Sequence, residues 1–351
     1  MRKLPGLNIG GLEIDSCVIQ GGMGVKISGR KLASAVANEG GAGVIATVGL
    51  GFFNGSGKDR NAVALGEEIR AAKEMSGGVI GVNIMYALTD YERMVEVSVE
   101  ENVDLIISGA GIPRDLPKYL KGKDIKLLPI VSSAKYAKLI TKAWEKHGHR
   151  PDGIVVEGPL AGGHLGFKHE DLADGTAESL ENIVSGVIDV VGGKGIPVIA
   201  AGGIYTGGDI YDIMKLGASG VQMGTRFVVT DECDADIKFK QEYLRATRDD
   251  IVLIKSPVGL PGRAIKNDFL ERVQAGEGDK FGCGYQCLKT CKPKESPYCI
   301  ARALMDASEG NFTRGYAFAG ANAYLCDEII PVGELMDKLS DEYAVAEAAD
   351  K

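Results

Sequence analysis

The chain has 351 residues and a mass of 37.1 kDa, with 49 glycines against 12 prolines, 45% hydrophobic and 25% charged residues. Glycine at about 14% is roughly twice the usual share, while Gly plus Pro stays below the disordered or collagen-like range, so the glycines belong inside a folded domain. A net charge of −8 and a pI near 5.3 argue against nucleic acid or an anionic membrane as the main partner, and no apolar run reaches the ~18 residues of a membrane span.

The N-terminal MRKLPGLNIGG lacks the apolar core of a signal peptide, so a cytoplasmic protein is expected. Short apolar runs then recur along the chain: 16–20 (SCVIQ), 43–47 (GVIAT), 78–85, 103–108 (VDLIIS), 125–131 (IKLLPIV), 153–157 (GIVVE), 196–201 (IPVIAA) and 220–224 (GVQMG). They read as buried parallel strands. Amphipathic stretches at 29–39, 62–75, 90–101, 113–120, 134–147, 177–191, 207–216 and 235–247 follow them in turn. Eight strands alternating with eight helices predict an α/β fold of the TIM (β/α)8 barrel type over residues 1–247. A doubly wound sheet is the weaker alternative, because no G-x-G-x-x-G follows the first strand. Residues 248–351 break the alternation and predict a C-terminal cap packed on the barrel, with helices at 298–307 and 332–339 and a cysteine-rich segment at 283–299.

In such barrels chemistry sits at the C-terminal strand ends. Glycines gather there: Gly21, Gly22 and Gly24 after the first strand, Gly109 and Gly111 after the fourth, Gly158, Gly162 and Gly163 after the sixth, Gly202 and Gly203 after the seventh, Gly224 after the eighth. That pattern suits a large flat ligand lying against bare backbone. Segments 200–204 (AAGGI) and 223–226 (MGTR) fall where these barrels commonly bind phosphate. Cys283, Cys287, Cys291 and Cys299 form C-x3-C-x3-C-x7-C beside Lys280, Lys289, Lys292 and Lys294. Four such thiolates could ligate zinc or an iron–sulfur cluster, although neither the usual zinc knuckles nor the ferredoxin spacings match; the alternative is reduced cysteines packing a small subdomain. Cys17, Cys233 and Cys326 read as core. The glycine-rich loop 49–60, with Phe52 and Phe53, is a candidate substrate lid, and 316–322 (YAFAGAN) a candidate return to the site's mouth. The chain has no nucleophile elbow, P-loop or H-E-x-x-H.

Together QGGMG (20–24), GVNIM (81–85), AGGHLG (161–166), PVIAAGGI (197–204), QMGTRFV (222–228) and RAIKN (263–267), with GAN at 320–322, resemble the nitronate monooxygenase family, formerly called 2-nitropropane dioxygenases, which includes FMN-dependent enoyl-acyl-carrier-protein reductases. The resemblance implies an FMN-dependent oxidoreductase. Gly22, Met23 and Gly24 would line the flavin ring, Asn83 would bond its polar edge, Gly109 and Gly162 would lie near it, and Gln222 would face the ring or ribityl chain. Gly202, Gly203, Gly224 and Thr225 would hold the phosphate. His164, in AGGH, matches the family's catalytic histidine; it could take a proton from a substrate carbon or bind an anionic nitronate. Two activities follow: oxidation of alkyl nitronates with O2, or reduction of an enoyl thioester by NAD(P)H, with acyl carrier protein as a partner. Residues 128–133 (LPIVSS) lack the lysine that some nitronate monooxygenases carry there, which leans toward the reductases. A homo-oligomer is compatible with either. A third reading, from a different class, is a non-redox barrel binding a phosphorylated ligand, an isomerase or lyase; the absence of a Schiff-base lysine at a strand end counts against its aldolase form.

Overall fold

The computed structural model describes residues 4–52, 59–278, 281–283 and 285–351. Eight parallel strands close into a barrel in chain order: β1 (Val18–Gln20), β2 (Ala42–Ala46), β3 (Val79–Met85), β4 (Leu105–Gly109), β5 (Lys126–Val131), β6 (Ile154–Glu157), β7 (Val198–Ala201) and β8 (Gly220–Met223), with β8 returning to pair with β1. The strands are continuous apolar runs because both faces are covered. Their inward side chains, Ile19, Val44, Leu105, Ile107, Leu128, Val155 and Ile199, fill the interior. Leu7, Ile9 and Ile14 join that cluster from an antiparallel hairpin, Leu7–Ile9 with Leu12–Ile14, which the sequence reading missed.

The principal helices of the barrel region are α1 (Arg30–Asn38), α2 (Arg60–Met75), α3 (Tyr91–Glu100), α4 (Ala134–Glu145), α5 (Leu180–Val191), α6 (Gly207–Lys215), α7 (Thr225–Val228) and α8 (Ile237–Arg245), and beyond them Ile300–Ser308 forms the first of the two expected C-terminal helices. The helix expected at 113–120 is only a 3-10 turn, Leu116–Tyr119, consistent with Pro117 in its first turn. Among the described residues no helix is long and apolar enough to cross a membrane.

Two features beyond residue 248 position the site. Ile251–Lys255 and Pro261–Ile265 form an antiparallel pair, where only a turn-rich stretch was expected, and Pro261–Ile265 also pairs with Gly163–His164. The C-terminal helix, Val332–Ala349, extends ten residues past the expected end and packs along α6. Gly207 permits that approach: a Cβ there would lie 2.1 Å from the Leu339 carbonyl oxygen and 2.4 Å from the Tyr343 nitrogen. Gly207→Ala is therefore expected to lower stability by about 1–3 kcal/mol, the range for overpacking a tight contact, read as a fall in the thermal or urea midpoint; an unchanged midpoint would mean that the C-terminal helix contributes little.

Candidate active site

A cavity of about 310 Å³ opens across the C-terminal ends of the barrel strands, within the range of small-molecule sites. Every residue expected to touch a cofactor lines it: Gly22, Met23, Gly24, Asn83, Gly109, Gly162, Gly202, Gly203, Gln222, Gly224 and Thr225, with His164 among them. Residues far along the chain complete the wall, namely Cys287, Leu288, Ile300, Ala301, Leu304 and Phe318–Gly320. The 316–322 stretch thus does return to the mouth.

The glycines serve packing as much as any ligand. A Cβ on Gly24 would sit 2.0 Å from Val48 Cγ1, and one on Gly162 would sit 2.6 Å from the Ala319 carbonyl carbon and the Gly320 nitrogen. Missing side chains therefore let neighbouring loops close over one another, which leaves backbone as the cavity's surface. Gly202 (φ +90°) and Gly203 (φ +97°) also adopt left-handed backbone that favours glycine.

Polar groups are few and held from outside. The Met23 N–H donates to Ser28 Oγ at 2.8 Å, fixing the loop after β1. Thr225 Oγ1 accepts the Gly320 N–H at 3.1 Å, and Asn322 Nδ2 donates to the Gly203 carbonyl at 2.7 Å, so the return loop braces the ends of β7 and β8. Gln222 Oε1 is buried with no hydrogen-bond partner. A buried acceptor left open costs on the order of 1–3 kcal/mol, so it calls for a donor from a ligand.

His164 projects from the short strand paired with Pro261–Ile265. Its Nε2 lies 2.7 Å from the buried Ser256 Oγ, and its ring meets Phe318 edge-on at 5.0 Å. Burial pushes its pKa down to about 4, so the imidazole is neutral at physiological pH. Glu157 ends β6. Its carboxylate receives one long hydrogen bond, from the Gly166 N–H at 3.4 Å. Burial pushes it up to about 7, with the Gly166 bond and Arg263 opposing. The Arg263 guanidinium is committed to the carbonyls of Pro159 and Ala161, so it braces the loop before His164. Sequence reasoning noted Glu157 only as part of a glycine-rich strand end and missed Ser256; a lone acid closing an apolar strand was the available signal for the first.

The cysteine segment docks on the barrel through a Leu88–Leu288 bridge and a Thr89 N–H to Cys287 carbonyl bond. Cys283, Cys287, Cys291 and Cys299 are half-buried free thiols. Burial and the neighbouring thiols push Cys287 up to about 12; Cys291 and Cys299 are raised as well, burial first. Among the described residues no group of three or more His, Cys, Asp or Glu is arranged to hold a metal ion. Cys287 faces the cavity. Lys289 lies over the Tyr86 ring at 4.7 Å and Lys292 pairs with Glu295, while Lys280 lies outside the described residues. Of the candidate lid, Phe52 is buried and lines the cavity; Phe53 to Lys58 lie outside the described residues. Cys17, Cys233 and Cys326 are buried, as expected of core residues.

The nitronate monooxygenase family model matches residues 7–90 and 59–342. A probable nitronate monooxygenase of Staphylococcus aureus is 31% identical over 304 residues, covering 76% of this chain and 80% of the relative. A Mycobacterium tuberculosis enzyme, (3aS,4S,5R,7aS)-5-hydroxy-7a-methyl-1-oxo-octahydro-1H-indene-4-carboxyl-CoA dehydrogenase, is 32% identical over 265 residues, 76% of this chain and 67% of that one. Among solved structures, FabK from Thermotoga maritima superposes with a TM-score of 0.77 at 28% identity, covering 96% of this chain and 95% of that one. A nitroalkane oxidase from Streptomyces ansochromogenes, at 23% identity and a TM-score of 0.76, shares the fold. Barrel, cavity and relatives define a flavin-dependent oxidoreductase. The chain belongs to the nitronate monooxygenase family.

Proposed function

We propose that the cavity holds FMN and that the protein oxidises alkyl nitronates. The observation that carries this is the unpartnered Gln222 Oε1, buried in a cavity whose walls are backbone at Gly22, Gly24, Gly162, Gly202 and Gly203. Such a site suits a flat ring with a hydrogen-bond donor at its edge. Gly22, Met23 and Gly24 line the ring in this reading, with Gly109 and Gly162 near it. Asn83 and Gln222 meet its polar groups. Gly202, Gly203, Gly224 and Thr225 take the phosphate; the Thr225 hydroxyl accepts from Gly320 and so keeps its own proton to donate. When bound, FMN supplies the electron-accepting chemistry that no side chain provides. The chain's own groups bind and orient the substrate. Neutral His164, steadied by Ser256 and Phe318, hydrogen-bonds the nitronate oxygens without bringing a charge.

A thioester substrate is the second reading. It is favoured by the likeness to FabK over 96% of the chain and to a dehydrogenase whose name specifies a carboxyl-CoA. There NAD(P)H is the reductant, an enoyl thioester the substrate and acyl carrier protein the carrier.

A visible spectrum of the purified protein tests the cofactor: flavin bands, with FMN released on heating, are expected. A colourless protein that takes up no FMN on reconstitution would sink both readings. Iron or zinc in stoichiometric amount would return the cysteine tetrad to the role of ligands. Turnover of propionate-3-nitronate with O2, against crotonyl thioester with NAD(P)H, separates the two activities.

A further inference from the structure

We propose that Cys283, Cys287, Cys291 and Cys299 hold an iron–sulfur cluster against the wall of the cavity. The site is independent of the substrate and of the flavin. Among the described residues of 275–299 there is neither helix nor strand, and the stretch meets the barrel through the Leu88–Leu288 bridge and the Thr89 N–H to Cys287 carbonyl bond. An irregular segment of that length inside a compact fold needs a function or a staple, and a bound metal centre supplies both.

The fold brings the four thiols together. Each lies within electrostatic reach of the other three: Cys287 responds to Cys299, Cys283 and Cys291, Cys291 to Cys283 and Cys299, and Cys299 to Cys283. Cys287 and Cys291 pack against the main core, and Cys299 stands at the N-terminus of the helix Ile300–Ser308. Every sulfur also meets a hydrogen-bond donor. The Gln286 N–H donates to Cys283 Sγ at 3.4 Å. The Ala301 and Arg302 N–H groups, in the first turn of the helix and without partners within it, donate to the Cys299 sulfur. The Ser296 hydroxyl hydrogen-bonds Cys291, and Cys287 meets its own amide. A neutral thiol is a weak acceptor with little need of donors. A metal-bound thiolate carries charge, and hydrogen bonds to its sulfur steady it and set the potential of a cluster.

Among the described residues no three of the thiols converge as ligands of a single ion. Zinc needs every sulfur about 2.3 Å from one point and is the poorer fit. In a four-iron cluster each sulfur binds a different iron, so the ligands stand further apart. Binding replaces each S–H bond by an S–Fe bond and releases the proton to solvent, with the sulfur's oxidation state unchanged. Thiols that burial keeps protonated are therefore ligands once iron takes the place of the proton. Cys287, Leu288, Ile300 and Ala301 all line the cavity, so the cluster fixes that wall.

The test uses the full-length protein purified without air. Iron and acid-labile sulfide should be present at about four of each per chain, and reduction with dithionite should give a cryogenic EPR signal that FMN alone does not. Cys291→Ser and Cys299→Ser should each bind iron at least about tenfold more weakly, the scale of a damaged metal site, with the far-UV circular dichroism of a folded barrel. Cys326→Ser, outside the tetrad, should keep its iron. Stripping iron from the wild type with a chelator should lower the thermal midpoint and expose 275–299 to protease, and ferrous iron with sulfide should reverse both. Stoichiometric zinc without sulfide would overturn the proposal. So would a disulfide between any two of the four in the anaerobic protein, four thiols that still titrate after reconstitution, or iron retained by both serine variants. A protein with iron and sulfide but no FMN would leave the cluster standing and sink only the flavin reading.

Discussion

Gly22→Ala should give a folded protein that no longer retains FMN. A Cβ on Gly22 would sit 2.3 Å from Asn83 Cβ and 3.0 Å from its Cγ, with Val44 Cγ1 at 3.5 Å. Rotation of Asn83 cannot relieve the clash, because its Cβ is fixed to the backbone. That backbone is locked in the barrel: Asn83 pairs with Ala46 and Ile107, and its carbonyl accepts both the amide and the hydroxyl of Thr47, at 3.1 and 3.0 Å. The loop after β1 must therefore move, and it moves against its anchor at Ser28. Overpacking of this kind costs about 1–3 kcal/mol of stability, which a barrel this size tolerates, but it displaces the surface on which the ring is proposed to rest. At least tenfold weaker FMN binding is expected, measured by calorimetry on the apoprotein and by the flavin-to-protein ratio after purification. Gly77→Ala, at a position with nothing within 4 Å, should bind FMN as the wild type does. A Gly22→Ala protein carrying a full complement of flavin would remove this loop from the cofactor's wall.

The barrel was legible because its strands are self-declaring. Runs such as VIAA in β7 and AGVIA in β2 are apolar throughout, and burial on both faces explains them. The glycine rim was legible because glycines fall in phase with several predicted strand ends, and the fold brings those ends around one cavity. What stayed hidden depends on contacts between distant residues. Ser256 meets His164 across 92 positions, and nothing in SPVGLPGR announces a strand pairing with the histidine loop. The state of Glu157 depends on burial, on the Gly166 N–H and on Arg263 more than a hundred positions away, which its own neighbours IVV do not encode. Beyond Leu339 the C-terminal helix has little apolar periodicity; its course depends on the absent side chain at Gly207. The cysteine spacing matches neither the usual zinc nor the ferredoxin pattern, and nothing in it placed Cys287 in the cavity wall.

His164→Ala should lower turnover at least tenfold while leaving FMN content unchanged, because the imidazole is proposed to touch the substrate and the flavin's wall is built elsewhere. The shape of the pH profile is the sharper readout. With its pKa pushed down to about 4, His164 keeps one protonation state from about pH 5 upward, so its loss should reduce the height of the profile and leave the inflection near 7 set by Glu157 in place. Ser256→Ala, which removes the 2.7 Å hydrogen bond to Nε2 and a longer one from the Val258 N–H at 3.4 Å, should produce a smaller loss of the same form. Stability should respond at the acid end. A histidine whose folded-state pKa lies below its unfolded value of about 6.5 penalises the fold as pH falls through the interval from 6.5 to 4, since the unfolded chain takes up the proton first. Removing the ring removes that penalty, so the melting temperature of His164→Ala should drop less than that of the wild type between pH 7 and pH 4.5. If instead the inflection near 7 vanished with the histidine, the imidazole would be the proton carrier in the working enzyme.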